Sequence, residues 1–269
     1  MERASRAGTL TAASLMVAAP AAEDAVRRAR ALPGLRVGLH LVLADGAALL
    51  ERHLIPALVD RDGRMDGRMF ARGLRYFALP GVRRQLDAEI RAQFTAFARS
   101  GLALDHVNVH KHFHLHPSLL ELIIRIGGDF GMRAVRIPDE PLWFAARGGA
   151  WITGPVSAAL LTPWIGLMKH RLRRHGILHN DQVFGIACSG AMTEARLLEI
   201  LARLPDGVTE IYLHPATESG SAIAASMDGY RHAEELAALL SPRVRSALAA
   251  AAPRGGFSDL PHARGSWAA

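Results

Sequence analysis

Short apolar runs alternate with amphipathic helical patterns along most of this chain. Residues 10–17 read as a strand feeding a helix over 22–31, which stops at Leu32-Pro33-Gly34, and 35–43 read as a second strand. Val82, Leu86, Ile90, Phe94 and Phe97 recur at spacings of four, four, four and three, which predicts an amphipathic helix stopped by Gly101. Residues 104–110 form a third predicted strand. Pro117 opens a helix carrying Leu119, Leu120, Ile123 and Ile126 that ends at Gly127-Gly128. Further strands are expected at 132–137, 182–187 and 208–213, with a helix capped by Thr193 and running to Leu204 between the last two. Helices over 230–240 and 242–251 follow, the second with Ser241 at its cap and Pro242 at its first position.

Repeated strand–helix alternation predicts a parallel sheet and the α/β class, in one domain over residues 1–252. Residues 44–80 and 138–180 read as insertions and 253–269 as a flexible tail. In such folds chemistry collects where strands end and loops begin, so the polar residues at strand ends carry the most information.

Composition narrows the field. Half of the 269 residues are hydrophobic and 21% are charged, enough for a large core and unlike a disordered chain. The single cysteine, Cys188, excludes a disulfide framework and a cysteine zinc cluster. No apolar run reaches the roughly 18–20 residues of a membrane span. The first 20 residues resemble a secretory leader, but Glu2, Thr9, Thr11 and Ser14 fit a buried strand better. The net charge is +7 and the pI about 10.6, yet the basic residues are spread out, so nucleic acid is not an expected partner.

Five of the 13 histidines fall in His106-Val107-Asn108-Val109-His110-Lys111-His112-Phe113-His114-Leu115-His116-Pro117. In an extended chain the even positions share one face and Val107, Val109, Phe113 and Leu115 the other. A polar face on a strand that should be buried points to an enclosed metal or catalytic site, against the plainer reading of a histidine-rich surface loop. His40 and His214 close the second and sixth predicted strands. Taken alone each reads equally well as a hydrogen-bonded core histidine, but three strands presenting histidine at one edge is a stronger signal. A hydrolytic metal site takes three protein ligands and keeps one position open. His40 and His110 supply two, and Asp45, Asp105, Asp139 and Asp181 are candidate carboxylates that spacing does not separate.

Gly38-Leu39-His40-Leu41, the run from Asp105 to Pro117, and Tyr212-Leu213-His214-Pro215 together resemble the YdjC-like carbohydrate deacetylases. The likeness extends over about residues 1–250 and is nearest to the hopanoid-biosynthesis-associated branch. It implies a TIM-like (β/α) barrel, seven-stranded in the family. By the same likeness this chain is expected to lack the first strand and its paired aspartates, because Glu2-Arg3-Ala4 resembles the helix after it; a misassigned start or a truncation would explain this. It also implies removal of an acetyl group from an N-acetylated amino sugar, here a glucosaminyl hopanoid lipid, with one divalent metal ion, Zn or Mg, as cofactor. His40 and His110 would be metal ligands and His214 a catalytic imidazole. His112, His114 and Asp181 are expected to bind substrate. A non-catalytic metal- or carbohydrate-binding protein, or an inactive fragment, is the alternative.

The expected partners are an amino-sugar or glycolipid substrate and a membrane surface, with a homodimer allowed. The location expected is the cytoplasm, with peripheral contact at the inner membrane. Apolar residues 156–168, with Trp143, Trp151 and Trp164 in the same insertion, precede the basic run Lys169-His170-Arg171-Leu172-Arg173-Arg174-His175. A lid packed on the site is the competing reading, since Pro155 and Pro163 predict only short helices there.

Overall fold

The computed structural model describes residues 1–65, 79–147, 155–217, 227–251 and 253–260. Trp151 lies outside them. Contacts divide the chain into two compact units. The first comprises Met1–Thr11, Ile137–His170 and His179–Gly255, and the second Ala12–Arg136, Arg171–Leu178 and Gly256–Ala269.

The second unit is built on a parallel sheet. Strands β1 (Ala12–Leu15), β2 (Arg36–Leu41) and β5 (Leu104–Val109) lie in the order β1-β2-β5. A short antiparallel pair, β3 (Gly46–Ala47) and β4 (Arg64–Met65), falls in the first predicted insertion. Register sets Ser14 beside Gly38 and His40 beside Asn108. Strand period two then places Ser14, Gly38, His40, His106 and Asn108 on one face, and Leu15, Leu39, Leu41, Val107 and Val109 on the other. The apolar residues β2 and β5 turn to that other face, Leu39, Leu41, Val107 and Val109, are all buried. The crossovers are helical: α2 (Ala22–Arg30) follows β1, and α3 (Pro80–Arg99) precedes β5. Helix α3 buries Val82, Leu86, Ile90, Phe94 and Phe97, the stripe that its spacing predicts. Its neighbour α4 (Pro117–Asp129) buries Leu119, Leu120, Ile123 and Ile126.

Strand order does not stop at β5. Val107 bridges Val135 and Ala134 bridges Leu178, both parallel, so residues 134–135 occupy a central strand position with a single bridge on each side. The expected strand 132–137 is thus much shorter than predicted.

In the first unit β6 (Gln182–Phe184) pairs in parallel with β7 (Thr209–Ile211). Phe144, Phe184, Met192, Leu197, Ile200 and Val244 form its core, drawn from α5 (Leu142–Ala145), α7 (Glu194–Leu201) and α9 (Pro242–Ala251) among others. Ala4 of α1 (Glu2–Ala7) packs with Leu236 and Leu239 of α8 (His232–Leu240). The predicted caps divide: Ser241 Oγ accepts the amides of Arg243 and Val244, whereas Thr193 holds the cap position of α7 without a side-chain bond.

The architecture is a mixed α/β fold with parallel strands and helices. Among the described residues the sheets are three-, two- and two-stranded, and none closes. Two expectations are corrected over the described residues. Helix α6 (Pro155–Arg174) runs through Pro163 as one 20-residue element, not as short pieces. Proline lacks one amide donor and crowds the preceding turn, but Ile165, Met168 and Leu172 anchor one side of this helix by burial. Within the described part of the expected tail, Phe257–Asp259 form a 3-10 turn with Phe257 buried and the Ser258 amide on Asp105. Among the described residues no helix is long and apolar enough to cross a membrane.

Candidate active site

The polar face of the second unit carries one connected chain of side chains. Asp105 accepts hydrogen bonds from the Ser258 hydroxyl at 2.6 Å, from the Phe257 and Ser258 amides, and from His106 Nδ1 at 2.8 Å. His106 Nε2 lies 3.0 Å from Ser14 Oγ, and Ser14 Oγ lies 2.8 Å from the Asn108 amide. Asn108 reaches His40 Nδ1 at 2.6 Å, and His40 Nε2 stands 3.2 Å from His110 Nδ1. Gly38 makes room for this arrangement, since a Cβ there would meet the His106 ring at 2.5 Å. Burial alone would raise the Asp105 carboxyl, but bonds from His106 and Ser258 outweigh it and take it down to about 2. Partial burial, with Lys111 nearby, lowers His110 and favours its neutral form.

The alternation of histidines holds only as far as the strand does. At His110 the chain turns into a 3-10 segment, His110–Leu115, in which Lys111 and His112 have φ of +53° and +54°. His112, His114 and His116 therefore leave the face shared by His106 and Asn108, which corrects the extended reading. Side chains rarely adopt this left-handed conformation, and three of the described non-glycine residues do so: Asp45, Lys111 and His112. All three follow β2 or β5, and Lys111 pairs with Asp45 across the gap. His114 is buried, with Nε2–H donating to the Arg136 carbonyl at 2.8 Å, and burial takes its imidazole down to about 4. His112 is shifted well down by desolvation and by the neighbouring His114 and Arg136.

His214 belongs to the first unit. Its amide donates to Glu235, its carbonyl accepts from His232 Nδ1 at 2.5 Å, and its ring meets Tyr212 and Tyr230 edge-on at 5.6 and 5.3 Å. Glu235 also accepts the Met192 amide, and burial raises its carboxyl. Glu140 is built alike, accepting the amides of Gly185, Ile186 and Ala187, with burial raising it. Asp181 accepts the Val208 amide at 2.8 Å beside Gly207, whose φ is +95°.

The structure therefore brings His40 and His110 together and extends the pair through Asn108, Ser14, His106 and Asp105. The four candidate carboxylates are engaged: Asp45 with Lys111, Asp105 with His106 and Ser258, Asp139 with Lys169 and Asp181 with Val208. Among the described residues no group of three or more His, Cys, Asp or Glu gathers as a metal cluster. The pair itself suits a divalent ion. Its donors are imidazoles, burial shifts His110 toward its neutral form, and two nitrogens on one tetrahedral zinc stand about 3.4 Å apart, near the separation seen. Sequence reasoning missed the buried carboxylates Glu89, Glu140 and Glu235 and the bridging role of Asn108.

A family model described as YdjC-like protein matches residues 1–250. The chain is 36% identical over 140 residues to a carbohydrate deacetylase of Brevibacillus brevis, covering 52% of this chain and 51% of that protein. It is 29% identical over 244 residues to one of Geobacillus stearothermophilus, covering 90% and 82%. It is 30% identical over 268 residues to one of Mus musculus, covering 90% and 83%. The chain thus spans about half of the first relative and more than four fifths of the other two. A crystal structure from Enterococcus faecalis V583, described as a proposed cellobiose-phosphate cleavage protein, matches with a TM-score of 0.67 at 19% identity, over 93% of this chain and 87% of that one.

Proposed function

Since this chain belongs to the YdjC-like family, we propose that it is a carbohydrate deacetylase, a hydrolase that releases acetate from an N-acetylated amino sugar. The observation that carries this reading is the His40–His110 pair, 3.2 Å apart where two adjacent parallel strands end, in a chain whose relatives are named carbohydrate deacetylases. The finer reading is the TIM-like barrel of the family, acting on a glucosaminyl hopanoid lipid. The motif resemblance supports both.

His40 and His110 would hold a divalent ion, Zn or Mg. When bound, that ion supplies Lewis acidity toward the acetyl carbonyl. Water adds to the carbonyl carbon, the carbon–nitrogen bond breaks, acetate leaves, and the amine nitrogen takes a proton. His214 is the proposed general acid for that proton, and Glu235 fixes its backbone. His112, His114 and Asp181 are assigned to substrate as expectations from the resemblance. The bonds of His114 and Asp181 give them a share in holding loops as well.

Acetate release from N-acetylglucosaminyl substrates, measured with added Zn²⁺ or Mg²⁺, tests the reading. His110→Ala is expected to lose several kcal/mol of transition-state stabilisation, on the order of 10³-fold in rate. His214→Ala is expected to lose about 10²- to 10⁴-fold. Unchanged turnover in His110→Ala would overturn the metal-site assignment. Zinc and sugar binding without turnover would support the second reading, a non-catalytic binding protein, which the prior engagement of all four candidate aspartates favours.

The proposed membrane partner rests on α6. Val156, Leu160 and Leu167 are 66%, 76% and 41% exposed. At 100° per residue they lie on one side with Pro163 and, further along, Arg171 and Arg174. An outward apolar stripe that ends in arginine suits an anionic lipid surface. Sedimentation with anionic vesicles at low salt is expected to pull the protein down. Leu160→Glu with Leu167→Glu should leave it in the supernatant.

A further inference from the structure

Asn108 stands beside His40 in the β2–β5 register and is 1% exposed. One end of its amide lies 2.6 Å from His40 Nδ1. The other end faces Ser14 Oγ at 2.8 Å, His106 Nε2 at 3.3 Å, and the two terminal guanidinium nitrogens of Arg136 at 3.1 and 3.3 Å. A guanidinium nitrogen can only donate. The amide end facing Arg136 is therefore the carbonyl oxygen, and the NH2 group points at His40 and donates to Nδ1. A neutral imidazole that accepts at Nδ1 carries its proton on Nε2. That proton is directed at His110 Nδ1, 3.2 Å away.

The bonds from Arg136 through Asn108 and His40 to His110 thus run donor to acceptor in one direction. It is the reverse of what a metal at His40 Nε2 requires. A ligating imidazole offers a lone pair on one nitrogen and donates from the other to an oxygen behind it. We propose that Asn108 is a positioning residue whose amide orientation is tied to the tautomer of His40. Held by Arg136, it keeps His40 and His110 hydrogen-bonded to each other; loading a metal moves the His40 proton to Nδ1 and turns the amide over. This rests on the reading of His40 and His110 as metal donors.

Asn108→Asp separates the possibilities. A carboxylate accepts from Arg136 and from His40 Nδ1–H at once, so the substitution removes the conflict at nearly constant shape. Two-bond ¹H–¹⁵N spectra of the zinc-free proteins, above the imidazole pKa range and with the His40 signal identified by its loss in His40→Gln, read the tautomer directly. The expected result is Nε2–H in the native chain and Nδ1–H in Asn108→Asp. Calorimetric titration with zinc alone should show Asn108→Asp binding about 10- to 100-fold tighter, the scale on which partners behind a ligand act. Nδ1–H in the native zinc-free protein would overturn the proposal without reference to zinc. A shifted tautomer with equal zinc affinity would overturn the coupling. A shifted tautomer with zinc bound by neither protein would overturn the metal reading of the pair and the coupling with it, leaving the hydrogen-bond assignment standing.

Discussion

The two units hold the His40–His110 pair and His214 in opposite ways. In the second, imidazoles, a serine, an amide and a carboxylate bond mainly to one another, from Asp105 to His110, on the face of a parallel sheet. In the first, buried carboxylates bond to backbone: Glu235 to the amides of Met192 and His214, and Glu140 to three amides in a row. A side-chain relay sets proton positions and ring orientation, so altering it should change chemistry more than stability. A carboxylate that collects amides sets the course of a loop, so altering it should change stability first.

The largest expected effect tests the first unit. Glu235→Ala strands two amides, and each buried donor left without a partner costs about 1–3 kcal/mol. A loss of about 3 kcal/mol in urea unfolding is expected, together with slower turnover as His214 loses its backbone anchor. Retained stability with lost activity would break the contrast, because Glu235 would then act in the chemistry rather than through the loop.

The next effect tests the second unit through pH. The folded state holds the His114 imidazole down at about 4, against an ordinary value of 6.5. Folding is therefore favoured while the unfolded histidine is also neutral. Below pH 6.5 only the unfolded chain takes up the proton, and the contribution is lost progressively until His114 itself titrates near 4. The span corresponds to about 3 kcal/mol. His114→Gln, which keeps an N–H for the Arg136 carbonyl, should flatten the decline of stability over that range. An unchanged slope would show that other groups carry it.

These cases also show what could be read beforehand. The parallel α/β class and the helix at 82–97 follow from periodicity, because burial on one face writes itself into the spacing of residues; the His40–His110 pairing follows from both residues closing predicted strands. Period two stopped being informative at His110, where Lys111 and His112 take left-handed backbone that no alternation announces. The carboxylates were missed for a related reason. Glu89 falls between Leu86 and Ile90 on a buried helix face and accepts the amides of Leu49 and Leu50 from a distant loop. A lone charge inside an apolar stripe was the available signal; Gln93, one turn on, donates to it, but its other partners are backbone groups and leave no trace in sequence. The unbroken α6 was hidden by Pro163, whose penalty was outweighed by burial of Ile165, Met168 and Leu172.

The smallest effect gives the sharpest comparison, because both units contain a glycine pressed against a ring. A Cβ on Gly38 would meet the His106 imidazole at 2.5 Å, and one on Gly190 would meet the Tyr230 ring at 2.2 Å. Overpacking of this kind costs about 1–3 kcal/mol at either site. The backbones differ: Gly190 has φ of +79°, while Gly38 is within β2 and has no positive φ. Gly38→Ala should thus become nearly neutral in a His106→Ala background, since removal of the ring takes away the three nearest atoms the methyl group would meet. Gly190→Ala should still cost roughly 1 kcal/mol in a Tyr230→Ala background, because the left-handed conformation penalises any Cβ. Double-mutant cycles in urea would read these as a coupling that accounts for all of the Gly38 penalty and part of the Gly190 penalty. Equal residual costs at the two positions would mean that the strand around Gly38 is itself strained. The space for His106 would then be set by backbone, as in the first unit, rather than by the side chains it serves.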